Sequence, residues 1–588
     1  MTRLHNDPAA FADEALEGFA AAHGRWVRTV PGGVVRATPK TSGQVAVVIG
    51  GGSGHYPAFS GLVGQGLAHG AAVGNVFASP SAQQIRNVAK AAHCGGGVLL
   101  MYGNYAGDVL HFGQAAERLR GEGIDTSAVA VTDDVASAAP AESAKRRGIA
   151  GDLPVFKVAA AAAEQGLPLA GVTRVAEHAN ARTRSFGIAF SGCTLPGAEE
   201  ALFTVPEGRM ALGLGIHGEP GIDERPVPSA DEAAELLVST LLKELPEGIT
   251  ELRGQRAAVI LNGLGSVKYE ELFVVYRRVA SLLAEAGVEP VDPEVGELVT
   301  SFDMAGVSLT LTWLDDELEA LWKAPADTPA YRKGTVTAPA ADPSYESEDE
   351  SGLDDIYVSD AVLPEATDAS RRAAATALEA LRVIKDTVEE HADDLGRIDA
   401  VAGDGDHGIG MRRGSLGAHE AAVRAGESGA GAQTLLTLAG DAWADKAGGT
   451  SGALWGVILR SVGAALGDTA RPDAAALAQG VREASEGVTA LGGAQVGDKT
   501  MVDVLVPLAE TLSAQITAGA DLATAWDAAA TAAEGAARDT ARLLPRMGRA
   551  RPHAEKSLGT VDAGAHSLAL IARAVHGVLT HRSEGSTS

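Results

Sequence analysis

The chain has 588 residues, too many for one hydrophobic core, so several compact units are expected. Subtracting 76 acidic from 48 basic residues leaves a net charge of −28. That charge argues against nucleic acid or an anionic membrane as a main partner, because both would repel it.

Met1 to Glu14 already carries Arg3, Asp7, Asp13 and Glu14 without an apolar stretch, so no signal peptide is expected. With only Cys94 and Cys193 there is no disulfide framework, and a reducing, cytoplasmic setting follows. Thr41 to Ile85 contains no charged residue, yet its glycines, Pro57, His55 and His69 exclude a membrane span. It reads as buried strand and loop around a site.

Val45–Ile49 is a short apolar run that ends in Gly50-Gly51-Gly52-Ser53-Gly54-His55, a buried strand entering a tight turn. Such glycines let a ligand approach backbone N–H groups, although a strand–helix turn alone would also use them. Val98–Met101 leads to Gly103-Asn104-Tyr105-Ala106-Gly107-Asp108, where the carboxylate is either a turn residue or a base. Val129–Val131 before Asp133-Asp134 repeats the pattern, as does Ala257–Leu261 before Asn262-Gly263. A second half starts near residue 185, at the strand-like Phe186–Phe190. His217, within Leu214-Gly215-Ile216-His217-Gly218-Glu219-Pro220-Gly221, is uncrowded and suited to be nucleophile, base or metal ligand.

Residues 333–360, rich in Ala, Pro, Thr and then Glu346-Ser347-Glu348-Asp349-Glu350, read as a linker. It separates a domain at 1–332 (halves about 1–184 and 185–332) from one at 361–588. Beyond it, Leu378, Leu381, Ile384 and Val388 mark an amphipathic helix. Further helices are expected at 416–425, 434–446, 474–490, 502–515, 521–540 and 564–580, with no strands. Asp399, Asp404 and Asp406 place three carboxylates within eight residues, an arrangement that a Mg²⁺ ion would relieve. Gly448-Gly449-Thr450-Ser451 and Gly497-Asp498-Lys499-Thr500 both open helices, whose free N–H groups can hold phosphates.

Taken together these segments resemble the dihydroxyacetone kinase family over nearly the whole chain. GGGSGH at 50–55, NYAGD at 104–108, GIHGEPG at 215–221 and SFDMAG at 301–306 are similar to its ketose-binding K domain. GDGDHG at 403–408, GGTSGALWG at 448–456 and GDKTMVD at 497–503 are similar to its ATP-binding L domain. The resemblance implies an α/β K domain of two α/β halves followed by an all-α antiparallel helical barrel. It implies a homodimeric, ATP- and Mg²⁺-dependent kinase that phosphorylates a terminal hydroxyl of a short ketose. On that reading His217 forms a hemiaminal with the ketone, Asp108 takes the hydroxyl proton and His55 polarises it. Gly52, Ser53 and Ser79 line the sugar pocket, and Asp399, Asp404 and Asp406 hold Mg²⁺. His407, Gly449, Thr450, Ser451, Asp498, Thr500, Met501, Arg549 and Asp562 seat ATP.

The chain departs from the family's usual pattern where Gly103 and Ala106 replace Lys and Thr, and where Tyr56 replaces Glu. Its GRASY and DPGA segments appear as Gly548-Arg549-Ala550-Arg551-Pro552 and Asp562-Ala563-Gly564-Ala565. Loss of a lysine at Gly103 is expected to open space for four-carbon D- or L-erythrulose over dihydroxyacetone. Two other functions share these motifs: splitting of FAD to cyclic FMN, and ketose-binding regulation without catalysis.

Overall fold

The computed structural model describes residues 4–337, 363–401, 403, 405–469, 471–547 and 556–585. The chain divides into two compact units, Met1–Leu353 and Asp354–Ser588. From residue 338 to 360 the expected linker lies outside the described residues. Lys333, at its expected start, is instead paired in a short ladder with Ala326.

The first unit is built on two sheets. Strands β1 (Val27–Val30), β2 (Gly33–Arg36), β3 (Gln44–Ser53), β4 (Gly70–Val76), β5 (Gly95–Gly103) and β6 (Thr126–Val131) form one sheet in the order β1-β2-β4-β3-β5-β6. Its last four strands are parallel. A parallel sheet is covered on both faces, which explains the continuous apolar runs. Val45, Val47 and Ile49 point into one core, whereas Ala46 and Val48 point into another. Helices α1 (Phe11–Ala22), α2 (Ala82–Ala92), α3 (Ala106–Gly121), α4 (Asp152–Glu164) and α5 (Leu169–Ala181) belong to this part of the chain.

The second sheet begins with β7 (Thr183–Ala189), β8 (Arg209–Leu212) and β9 (Asp223–Pro226). Helix α6 (Ala230–Leu242), β10 (Arg256–Gly263), α7 (Tyr269–Ala286), β11 (Glu289–Pro290), β12 (Glu294–Gly296) and β13 (Gly306–Leu314) follow. The order is β11-β10-β13-β7-β8-β9, with β12 also on β10 and every partner from β13 to β9 antiparallel. The apolar run Ala257–Leu261 is therefore a central strand of a mixed sheet, and Asn262 after it is structural. Its amide donates to Val299 O and its carbonyl accepts from the N–H groups of Leu298 and Val299.

Helix α8 (Asp316–Lys323) returns to the core shared with the first sheet, where Leu318, Leu321 and Trp322 are buried beside Phe156 and Leu153. Residues after β13 thus complete the first half rather than the second.

The second unit is all helical among the described residues: α9 (Asp368–Asp399), α10 (His407–Glu427), α11 (Ala432–Ala447), α12 (Gly449–Leu466), α13 (Ala474–Gly492), α14 (Val502–Thr517), α15 (Leu522–Asp539) and α16 (Ala563–Gly585). Each packs on the next, and α16 packs on α9, closing a ring around one aliphatic core. Alanine and glycine allow the close spacing: a Cβ on Gly414 would stand 2.4 Å from the Trp443 ring. Among the described residues no helix is long and apolar enough to cross a membrane. Cys94 and Cys193 are both buried thiols.

Candidate active site

In the first unit the motif residues gather at the carboxyl ends of the parallel strands, where α/β sheets leave a crevice for ligands. The glycines that end β3 provide clearance. A Cβ on Gly51 would meet the Phe59 ring at 2.3 Å, and one on Gly52 the Ala78 backbone nitrogen at 2.7 Å. Ser53 donates its hydroxyl to Gly74 O at 2.7 Å, and the buried Ser79 donates to Pro80 O at 3.2 Å. Gly52, Ser53 and Ser79, the expected pocket residues, therefore lie at the end of β3 and in the turn that follows β4.

His55 and His217, 162 residues apart, meet Nε2 to Nε2 at 2.9 Å. The Nδ1 of His55 lies 2.7 Å from Thr300 O, while that of His217 lies 3.0 Å from Glu219 Oε1. His217 arrives on the loop between β8 and β9 of the second sheet, so both sheets build this site. Aromatic rings wall it in. Phe77 stacks on His55 at 4.9 Å between centroids and stands edge-on to His217 at 5.2 Å; Tyr105 is perpendicular to His217 at 4.6 Å. Burial and the Glu219 charge push the Tyr105 phenol well above its ordinary range, so it stays neutral and donates to Gly148 O at 2.9 Å. Asp108 is buried in the first turn of α3, three residues after Tyr105.

Gly103 does not open space as the sequence suggested. A Cβ there would stand 3.2 Å from the Tyr105 ring and 3.4 Å from Gly148 O, so the vacated volume is taken by Tyr105.

In the second unit, up-and-down helices bring four connections to one end of the ring. These are the links α9–α10, α11–α12, α13–α14 and α15–α16, and the expected nucleotide and metal residues that the structure describes lie in or beside them. The N-termini of α10, α12, α14 and α16 face this end, each a site of partial positive charge. His407 Nε2 donates to Ser567 Oγ at 3.0 Å, since that hydroxyl itself donates to Gly564 O. Burial lowers the His407 pKa, which keeps the ring neutral. Gly449, at φ +58°, opens α12 with no protein atom near its missing side chain, beside Thr450 and Ser451. Asp498 Oδ2 accepts from Gln495 N at 2.8 Å, and Thr500 Oγ1 accepts from Val502 N at 3.2 Å; Met501 is buried below them.

Asp399 ends α9 and Asp406 precedes α10. Desolvation, reinforced by the Asp399 charge, pushes the Asp406 carboxyl above its usual range. The same two causes act on Asp562, with Asp503 adding to them. Crowded carboxylates of this kind fit a hard divalent cation, whose charge would relieve their repulsion. Among the described residues no three ligand side chains form a ready cluster. Asp404 and Arg549, two expected site residues, lie outside the described residues.

Phe77 and Arg147 stood in no quoted motif, whereas Tyr105, Asp134 and the buried Lys499 stood inside quoted segments without a role of their own. Lys499 donates to Ser557 O at 2.7 Å. Glu219 and Asp503 sat inside the recognised motifs but had no assigned role.

The Dak1 domain matches residues 17–330 and the DAK2 domain residues 401–577. Over 100% of its length the chain is 61% identical to the L-erythrulose kinase of Pectobacterium atrosepticum, covering 98% of that protein. It is 56% identical to the D-erythrulose kinase of Mycolicibacterium smegmatis over 100% of both chains. Its structure aligns with the crystal structure of the dihydroxyacetone kinase from C. freundii in complex with AMP-PNP and Mg²⁺. That match has a TM-score of 0.50 at 29% identity and covers 98% of this chain and 99% of the other. The chain belongs to the dihydroxyacetone kinase family, with its Dak1 and DAK2 domains in one polypeptide.

Proposed function

We propose that the protein is an ATP- and Mg²⁺-dependent kinase of a four-carbon ketose, erythrulose, phosphorylating a terminal hydroxyl. The observation that carries this reading is the buried His55–His217 contact at the carboxyl ends of β3 and β5. Two imidazoles enclosed by Phe77 and Tyr105 can engage a ketone carbon and its oxygen, a group that glycerol lacks. Selection for ketoses over polyols follows from that chemistry. The four-carbon preference rests on the two erythrulose kinases described above, not on free volume at Gly103.

His217 is assigned as the nucleophile that holds the ketone carbon, with His55 beside it. Asp108, on α3, is the base for the terminal hydroxyl, while Gly52, Ser53 and Ser79 border the sugar. In the helical unit Asp399 and Asp406, with Asp404, would hold Mg²⁺, which supplies charge neutralisation for the phosphates of ATP. Gly449, Thr450 and Ser451 offer backbone N–H groups and hydroxyls to those phosphates. His407, Asp498, Thr500, Met501, Arg549 and Asp562 complete the nucleotide site. The homodimer rests on family membership, and mass measurement in solution tests it; a cytoplasmic location rests on the two free thiols, which suit a reducing compartment.

The deciding experiment is ADP release with dihydroxyacetone, D-erythrulose, L-erythrulose and glycerol, using the protein and its His217→Ala variant. Preference for an erythrulose enantiomer, lost on substitution, is the expected result. A higher kcat/KM for dihydroxyacetone would remove the four-carbon assignment. Equal use of glycerol by both proteins would remove the covalent one.

A further inference from the structure

His217 stands at the end of a buried chain of alternating charge that starts far away in the sequence. Asp134, just past β6, accepts from Arg147 Nε at 2.9 Å and from Nη2 at 2.6 Å. Arg147 Nη2 also donates to Gly213 O at 3.0 Å, and its Nη1 lies 3.8 Å from Glu219 Oε2. Glu219 then divides its two oxygens. Oε2 accepts from the His217 backbone N–H at 3.0 Å, and Oε1 faces His217 Nδ1 at 3.0 Å. The crossing is so close that a Cβ on Gly215 would stand 2.0 Å from Glu219 Oε2 and 2.5 Å from Arg147 Nη1.

A carbonyl oxygen can only accept, so His55 Nδ1 carries a hydrogen for Thr300 O. A carboxylate likewise only accepts, so His217 Nδ1 carries one for Glu219. Both Nε2 atoms are then left with lone pairs facing each other at 2.9 Å, an approach that requires one shared proton between them.

We propose that Glu219, Arg147 and Asp134 are positioning residues that fix His217 as the Nδ1–H tautomer and so make Nε2 the atom that binds the ketone. This inference rests on the covalent reading above. As Nε2 bonds to the carbonyl carbon, the C=O π pair moves to oxygen, which takes the shared proton. One positive charge sits on the histidine pair before the step and on the alkylated His217 ring after it. The Glu219 carboxylate stays against that ring throughout. Arg147, tied to Asp134, holds Glu219 in register.

Glu219→Gln tests this with little change of shape. An amide has one acceptor and one donor end. The His217 backbone N–H is a fixed donor, so it claims the amide oxygen and leaves the NH₂ group facing Nδ1. The imidazole must then switch to the Nε2–H tautomer, which has no lone pair for the ketone. Two measurements are made on the full-length protein. Nitrogen NMR of ¹⁵N-histidine-labelled ligand-free protein, with His217→Ala to assign the signal, reads the tautomer. Carbon NMR of 2-¹³C-erythrulose reads conversion of the ketone carbon to a tetrahedral adduct, with melting temperature recorded alongside.

The expected result is a tautomer switch at unchanged melting temperature, with the adduct and kcat/KM reduced at least about 100-fold, as when a catalytic imidazole is held in the wrong tautomer. An unswitched tautomer, or an adduct formed as in the parent protein, would overturn the inference. If the parent protein forms no adduct, the covalent reading fails, whereas the tautomer signal still decides the positioning claim.

Discussion

Gly408 lies against the carbonyl of Ala392 so closely that a Cβ would stand 1.9 Å from that oxygen. The contact joins the first turn of α10 to α9 directly beside Asp406 and His407. Gly408→Ala must therefore push the start of α10 away from α9, at a cost of about 1–3 kcal/mol. The helical unit should melt earlier, and the Mg²⁺ concentration needed for half-maximal activity should rise several-fold. An unchanged Mg²⁺ requirement would separate this helix start from the metal site.

Asp503 ties the loop before α14 to the first turn of that helix. Its Oδ1 accepts from Gly497 N at 2.6 Å and its Oδ2 from Thr500 N at 2.7 Å. Both bonds are charge-assisted, so Asp503→Ala should cost about 2–4 kcal/mol. Because Asp498 and Thr500 ride on that loop, the KM for ATP should rise at least about tenfold while the KM for ketose stays put. A variant that melts early but binds ATP normally would leave the loop a purely structural role.

The sequence made the second unit's site legible because a ring of sequential helices sends alternate connections to the same end. The glycine- and aspartate-rich segments at 399–408, 448–451 and 497–500 stand at alternate helix boundaries, so sequential packing brings them to one end. It also marked the strand ends at Gly50–Ser53 and Gly103, since apolar runs broken by glycine have one plausible geometry in a parallel sheet. The extent of α10 was less visible. Gly408, Gly410, Gly414 and Gly417 depress helix propensity, and the close approach of Ala392, Trp443 and Lys446 to Gly408, Gly414 and Gly417 explains three of them. The pairing of Arg147 with Glu219 had no local signal either. It joins residues 72 positions apart in sequence through the packing of one sheet against the other.

Gly103 sets the place of Tyr105. A methyl group at this position would meet the Tyr105 ring at 3.2 Å. The ring cannot retreat freely while its hydroxyl is bonded to Gly148 O, and on its other side stands His217. Gly103→Ala should therefore press Tyr105 toward His217 and narrow the space above Nε2. The expected outcome is a KM for erythrulose raised about three- to tenfold with stability nearly unchanged. Dihydroxyacetone, being shorter, should be affected less; an equal loss for both ketoses would show that Tyr105 does not bound the longer arm.

Lys157 gives the first unit a pH-dependent weakness. It is fully buried within the alanine-rich α4, and its Nζ donates to Leu321 O at 3.0 Å. Burial, with the nearby Lys333 charge, lowers its pKa from 10.5 to about 7. Below pH 7 the ammonium is charged in both folded and unfolded chains, and the folded state bears its full desolvation cost. Between pH 7 and 10.5 the folded protein has released the proton while the unfolded chain keeps it, so this group's contribution to stability rises with pH. Lys157→Met removes the cost, which is of order 5 kcal/mol at its upper limit. The variant should melt higher than the parent at pH 6, and that advantage should shrink steadily toward pH 10. Melting curves of both proteins across this range provide the check. A gain independent of pH would show that Lys157 is charged in the folded protein throughout, with its burial compensated by the Leu321 carbonyl.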